Sequence, residues 1–184
     1  MKQYLSLLLS ALLFISCAAS LPYSMDYPLT DQTFRSRDGV FSCKVPQGWF
    51  TSSGDTIVPA VVAWLMKDDL SATMGVKEIN MDRAAARRVE EDGLEFLATM
   101  SAALRQGDAS APSVVVAPKE FEMRGRKFCS YETGGNGKRT RVVVFSAKGR
   151  YYECQAEQVN GAGSANDLVK MFTAQQTFLA SMTF

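Results

Sequence analysis

The chain has 184 residues, 47% of them hydrophobic and 21% charged, which suits one globular domain with a sizeable core. Its formal net charge is +1, so it carries no global field to draw in nucleic acid or an anionic surface. It contains no histidine, which removes the commonest metal ligand, the usual general base near neutral pH and every Ser-His or Cys-His nucleophile pair.

Met1-Lys2 gives a weakly positive start, and Leu5 to Ile15 is an apolar run. The run has about the length of a secretory h-region and falls short of the roughly 20 residues of a spanning helix. No later stretch approaches it, so the remainder is expected to be exported and soluble. Two processing readings compete. In one, signal peptidase cuts beside the small residues Cys17-Ala18-Ala19-Ser20. In the other, Phe14-Ile15-Ser16-Cys17 is a lipobox; it resembles the end of bacterial lipoprotein signal peptides, where a small residue precedes an invariant cysteine. Ser16 and Ile15 fit that pattern, and Phe14 departs from the usual Leu or Val. The resemblance implies that residues 1–16 are removed and that Cys17 becomes an acylated first residue, anchored stably if it carries several chains. It also implies a cell-envelope address. Ala18 stands where an acidic residue would resemble an inner-membrane retention signal, so the outer membrane is favoured, with the domain in the periplasm.

Residues 17–33 hold Pro22 and Pro28 without periodicity and read as the lipidated cysteine and a flexible tether, with a single domain at 34–184. The competing reading packs Tyr23, Tyr27 and Leu29 on the domain edge. Phe41 to Val45 alternates apolar and polar residues and predicts a first strand, ended by the turn Pro46-Gln47-Gly48. Thr56 to Lys67 predicts a second, with Pro59 marking a bulge, an edge or a late start. Ala72 to Asn80 predicts a third. Asp82 is a good N-cap for a helix reaching Gln106, with Val89, Phe96, Leu97, Met100 and Leu104 on one core-facing stripe. Arg87 with Glu91, and Arg88 with Asp92, are i,i+4 pairs on its other face. Gly107 is a plausible stop.

Four strand-like runs follow: Val114 to Met123, Lys127 to Thr133, Arg139 to Ala147 and Arg150 to Gln158. The glycine-bearing turns between them predict an antiparallel meander. Ser164 or Asn166 caps a last helix with Leu168, Met171, Phe172, Leu179 and Met182 on its apolar face. The fold class is therefore α+β, a mostly antiparallel sheet of six to seven strands flanked by helices. Val142, Val143, Val144 and Phe145 are apolar on both parities, which calls for a layer on each face and an α/β/α sandwich. Val45-Pro46, Gly48-Trp49 and the closing Phe178, Ser181 and Phe184 resemble the PsbP-like and DcrB-like (Mog-type) sandwich domains. That resemblance implies a fold and an exported accessory role, and no shared catalytic residues. With no histidine here, the metal ligands of the photosystem members do not carry over.

Cys43, Cys129 and Cys154 are odd in number, so at least one thiol stays free or pairs between chains. If Lys148-Gly149 is a two-residue turn, Val143 faces Cys154 and Cys129 lies one strand beyond. That puts Cys129 and Cys154 roughly 9–10 Å apart, against the about 7 Å a disulfide allows. A pairing of Cys43 stays open, and the plainer reading makes all three small core hydrophobes.

Gly134 to Gly137 lacks the strand–loop–helix setting of a phosphate loop and reads as a hairpin turn. Basic residues gather in the meander. Its first and third turns share one end, so Arg124, Arg126 and Lys127 should neighbour Lys148 and Arg150 as a candidate surface for an anion or an acidic envelope partner; the alternative is a solvated rim of charged turns. Nothing calls for a metal or a cofactor. The function expected is a non-catalytic binding or accessory module held at the membrane by a lipid. The alternatives are an envelope enzyme using a thiol or carboxylates, and a homo-oligomeric scaffold.

Overall fold

Antiparallel hairpins build most of the chain. The computed structural model describes residues 21–52, 60–106, 112–135, 137–159 and 164–184. In order these form β1 (Leu29–Arg35), β2 (Ser42–Pro46), β3 (Trp49–Thr51), β4 (Val61–Lys67), β5 (Ala72–Glu78), α1 (Arg83–Arg105), β6 (Ser113–Met123), β7 (Arg126–Gly135), β8 (Lys138–Ala147), β9 (Arg150–Gln158) and α2 (Ala165–Ala180). Seven strands make one antiparallel sheet in the order β3-β4-β5-β9-β8-β7-β6, and β1 and β2 pair separately. The signal segment 1–16, Cys17, Pro59 and Gly107 lie outside the described residues. No helix among the described residues is long and apolar enough to cross a membrane.

The meander β6–β9 forms as its turn chemistry predicts. Lys148 and Gly149 both take positive φ (47° and 75°), the conformation of a two-residue hairpin whose twist matches the strands. Val143 accordingly faces Cys154. Alternation along β8 sends Val142 and Val144 to α1, and Val143 and Phe145 to α2. The sheet is thus covered on both faces, by two separate hydrophobic clusters.

The layer on the α2 side is more than a helix. Every residue from Met171 to Ala180 is buried, so α2 has no solvent-facing side there. The sheet covers one side of it, while β2 and residues 21–28 close over the rest. Ser181 Oγ accepts from Lys44 N at 3.0 Å, and Thr177 Oγ1 accepts from Tyr27 N at 3.3 Å. Gln176 Nε2 donates to the Tyr23 carbonyl at 2.8 Å, and the Tyr23 ring meets Phe172 edge-on at 5.3 Å.

Two expectations are corrected here. The strand at 41–45 pairs with the segment before it and not with the main sheet, and that partner, β1, lies largely within the stretch read as a tether. Packing begins at Leu21, since Leu21, Tyr23 and Tyr27 rest on the core; of the reading that placed Tyr23, Tyr27 and Leu29 against the domain, the two tyrosines pack there and Leu29 stays exposed. Pro22 and Pro28 restrict this segment instead of loosening it.

The long helix is also broken. Gly93 sits at φ 83°, ψ −175°, a conformation open in practice only to glycine, and it separates two helical runs. Past the break the buried face is Leu94, Leu97, Ala98, Ser101 and Ala102, and Leu104 is left 77% exposed. Of the expected stripe, Val89 and Leu97 are buried and Phe96 and Met100 pack against the same cluster, and Leu104 alone turns outward. Asp82 does cap α1, accepting from Ala85 N at 2.8 Å, and Ser164 with Asp167 forms a capping box on α2. Arg88 and Asp92 pair at 3.0 Å.

Candidate functional site

α1 packs on β6, β7 and β8. Towards β9, β5 and β4 the same face of the sheet is left open. The rows that line it are Lys77 beside Glu153, Gly75 beside Gln155, and Thr73 beside Glu157. Trp64 of β4 lies opposite Gly75, and a Cβ at that glycine would stand 3.1 Å from the indole ring. The glycine therefore gives the indole a flat seat on the strand. Two hollows adjoin on this face. One, of about 410 Å³, lies between the second half of α1 and the strands, lined by Ile79, Leu97, Met100, Leu104, Lys77 and Arg105. The other, of about 230 Å³, lies over Trp64, Gly75 and Gln155, and Lys77 and Glu153 belong to both.

Glu153 is the fixed point between them. It is 3% exposed and fully partnered. Ser101 Oγ donates to its Oε2 at 2.8 Å, Lys77 Nζ lies 2.8 Å from Oε1, and the Arg105 guanidinium donates to Oε1 as well. The Tyr131 hydroxyl completes the chain at 2.8 Å from Ser101 Oγ. Burial alone would raise the Glu153 carboxyl. The Arg105 charge, with Lys77 and Ser101, outweighs it and holds the group below the ordinary 4.5.

A depressed pKa means that ionised Glu153 contributes stability present in full above the unfolded value and lost as pH falls through the folded one. Glu153→Gln is expected to cost about 1–3 kcal/mol near neutral pH. Lys77 and Arg105 keep solvent contact, which holds the loss below that of a fully buried pair. The difference in melting temperature between wild type and variant should close as pH falls below 4.5. A difference that persists unchanged in acid contradicts this account of the carboxylate.

The basic residues of the meander divide. Register does bring the turns Arg124-Gly125 and Lys148-Gly149 to one end of the sheet. Arg126, however, donates to the Met182 carbonyl at 2.7 Å and lies over the Phe184 ring, and Arg150 lies 3.6 Å from Glu78 and 3.8 Å from Asp38. Arg124, Lys127 and Lys148 are exposed and form no ion pair among the described residues. Five cations expected as one surface are three at the turn tips and two engaged with the protein. Arg141, from the same basic run, is 1% exposed. Its guanidinium donates to Gln175 Oε1 (3.2 Å) and Gln176 Oε1 (2.8 Å) and sits under the Tyr23 ring at 4.8 Å. Burial lowers its pKa to about 10.

Cys43, Cys129 and Cys154, the three described cysteines, are free and buried. Cys129 lies on the α1 side, Cys43 and Cys154 on the α2 side, so Cys129 and Cys154 are parted by a strand and by the sheet itself. Burial pushes the Cys129 and Cys154 thiols up to about 12, and that of Cys43 further. These are inert thiols.

Sequence reasoning passed over Lys77, Ser101, Tyr131 and Glu153. A signal was present in β5, where a lone glycine sits inside a strand pattern and marks a close approach.

A scan against protein-family models finds no match to this chain, and neither does a search of curated protein sequences. Solved structures do match it. The cyanobacterial PsbP (CyanoP) of Synechocystis sp. PCC 6803 is similar with a TM-score of 0.50 at 14% identity, over 83% of this chain and 91% of that one. A single-site mutant of the protein Mog1 is similar with a TM-score of 0.51 at 10% identity, over 84% and 96%. The Ran-binding protein Mog1p of Saccharomyces cerevisiae gives 0.49 at 9% identity, over 84% and 95%. At such identities the likeness is one of fold. The seven-stranded antiparallel sheet with its two helices and accessory strand pair is thus the α+β architecture of PsbP and Mog1.

Proposed function

We propose that this is an exported, lipid-anchored cell-envelope protein that acts as a non-catalytic binding or accessory module through the recess beside α1. The observation that carries the reading is the composition of that recess. It sets the exposed Leu104 and the half-buried Trp64 beside a fixed cluster of two cations and one carboxylate. Such a surface suits recognition. Glu153 is held by three donors, and every described thiol is buried with its pKa raised. The anchor fits the same arrangement. Leu21 and Tyr23, the first described residues to pack on the core after Cys17, lie on the α2 side of the sheet, and the recess lies on the other side.

Metabolic labelling with a palmitate analogue tests the anchor. Wild type should take label and fractionate with the outer membrane, and Cys17→Ser should lose the label and appear in the soluble periplasmic fraction. Equal label in the two chains overturns the lipoprotein reading.

A further inference from the structure

We infer that the hollow between β5 and the second half of α1 binds a small organic anion with an apolar body, a medium-chain aliphatic carboxylate being the simplest form. This rests on the recess being the binding face and names what the face takes. At about 410 Å³ the hollow stands within the range of small-molecule sites, about 300–1,000 Å³.

Each of its two walls joins apolar and charged groups. Leu97, Met100 and Leu104 stand with Arg105 on α1, and Ile79 stands with Lys77, Glu78 and Glu153 on the strand side. Leu104 is the most exposed large hydrophobic side chain among the described residues. An exposed leucine next in sequence to an inward-turned arginine is an arrangement for an amphiphile: one residue takes the tail and the next the head.

The cations keep donors to spare. Lys77 and Arg105 share the single carboxylate of Glu153. Glu78, at the edge of the hollow, faces Arg150, which it shares with Asp38. Arg105 Nε is buried without a hydrogen-bond partner, and Lys77 is about half exposed, with N–H groups to spare beyond Glu153. A buried donor without a partner beside an ammonium with free N–H groups asks for an acceptor, and a charged one makes the stronger bonds. A carboxylate supplies it, and its alkyl chain covers Leu104 and Met100.

Calorimetric titration of decanoate into the full chain carrying Cys17→Ser tests this, with decanol and acetate as probes of tail and head alone. Decanoate should bind, and decanol and acetate should each bind at least about tenfold more weakly. Leu104→Asp, at an exposed position that leaves folding intact by circular dichroism, should weaken decanoate about tenfold, and Lys77→Gln should weaken it severalfold. No heat with decanoate, or binding untouched by both variants, overturns the site. A photo-crosslinker at Leu104 separates the two levels. Capture of an envelope protein there, with no decanoate binding, removes this ligand and leaves the binding face. Silence in both removes the face as well.

Discussion

A chain that begins at Phe34, where composition places the domain boundary, is expected to lose cooperative folding, while one that begins at Leu21 melts with the full-length protein. The segment between them ties the α2 layer together. Removing it takes β1 from β2, whose pairing partner is β1. It frees Tyr23, which bonds Glu132 through its hydroxyl at 2.7 Å, accepts from Gln176 at its carbonyl and covers Phe172 and Arg141 with its ring. It also strips the Pro28 carbonyl from Gln47 N (2.8 Å) and Thr30 Oγ1 from the Val45 carbonyl (2.9 Å). Deleting one large buried aromatic costs about 3–5 kcal/mol, and a whole domain has only about 5–15 kcal/mol to lose. At roughly 2–4 °C per kcal/mol for a chain of this size, the midpoint should fall by more than about 15 °C or the transition should vanish. Thermal melts followed by circular dichroism decide it, and equal midpoints for the two chains would show that residues 21–33 contribute nothing to the fold.

Among single substitutions, Arg141→Ala should be one of the most costly. The side chain is a buried cation with no carboxylate in direct contact; two glutamine oxygens and two aromatic rings hold it. Alanine leaves a cavity where the guanidinium lay, orphans the Gln175 and Gln176 oxygens and lets Tyr23 fall away from its seat. Losses of this kind run to about 3–5 kcal/mol. Arg141→Met keeps most of the volume and forfeits only the polar contacts, so it should cost less. Urea unfolding of the three proteins gives the comparison, and a loss under about 1 kcal/mol for Arg141→Ala contradicts the role assigned to this residue.

The parts of the fold legible in sequence are those whose cause is local. Lys148-Gly149 and Arg124-Gly125 announce two-residue turns, and alternation does the rest for β6–β9. Asp82 and Ser164 announce helix starts because a cap acts within three residues. The strap at 21–28 gives no such sign. It binds α2 through one aromatic ring and a few backbone atoms, so it has no period, and β1 is exposed along most of its length, so it shows no alternation. Gly93 is visible as a glycine within a helical pattern, but whether such a residue bends, breaks or merely weakens a helix is settled by what packs against it. Lys77, Glu153 and Glu157 look in sequence like the solvated face of two strands. That α1 shields half of that face and leaves the other half as a recess is a tertiary fact. Likewise Arg126 and Arg150 look no different from Lys127 and Lys148 until the tail at Met182 and the acids at Asp38 and Glu78 come within reach.

The recess should face away from the membrane that holds the anchor. The four peptide units from Cys17 to Leu21 reach at most about 14 Å, and Tyr23 packs on the side of the sheet opposite Leu104 and Lys77. The buried thiols leave an introduced surface cysteine as the residue that takes a label. A fluorophore at Ser24→Cys and another at Leu104→Cys, each in the lipidated protein on vesicles with quenchers in the headgroup region, compare the two faces directly. The label at residue 24 should be quenched and the label at residue 104 should not. Quenching at residue 104 equal to that at residue 24, or at neither position, would contradict a lipid-anchored module that presents its recess to the periplasm.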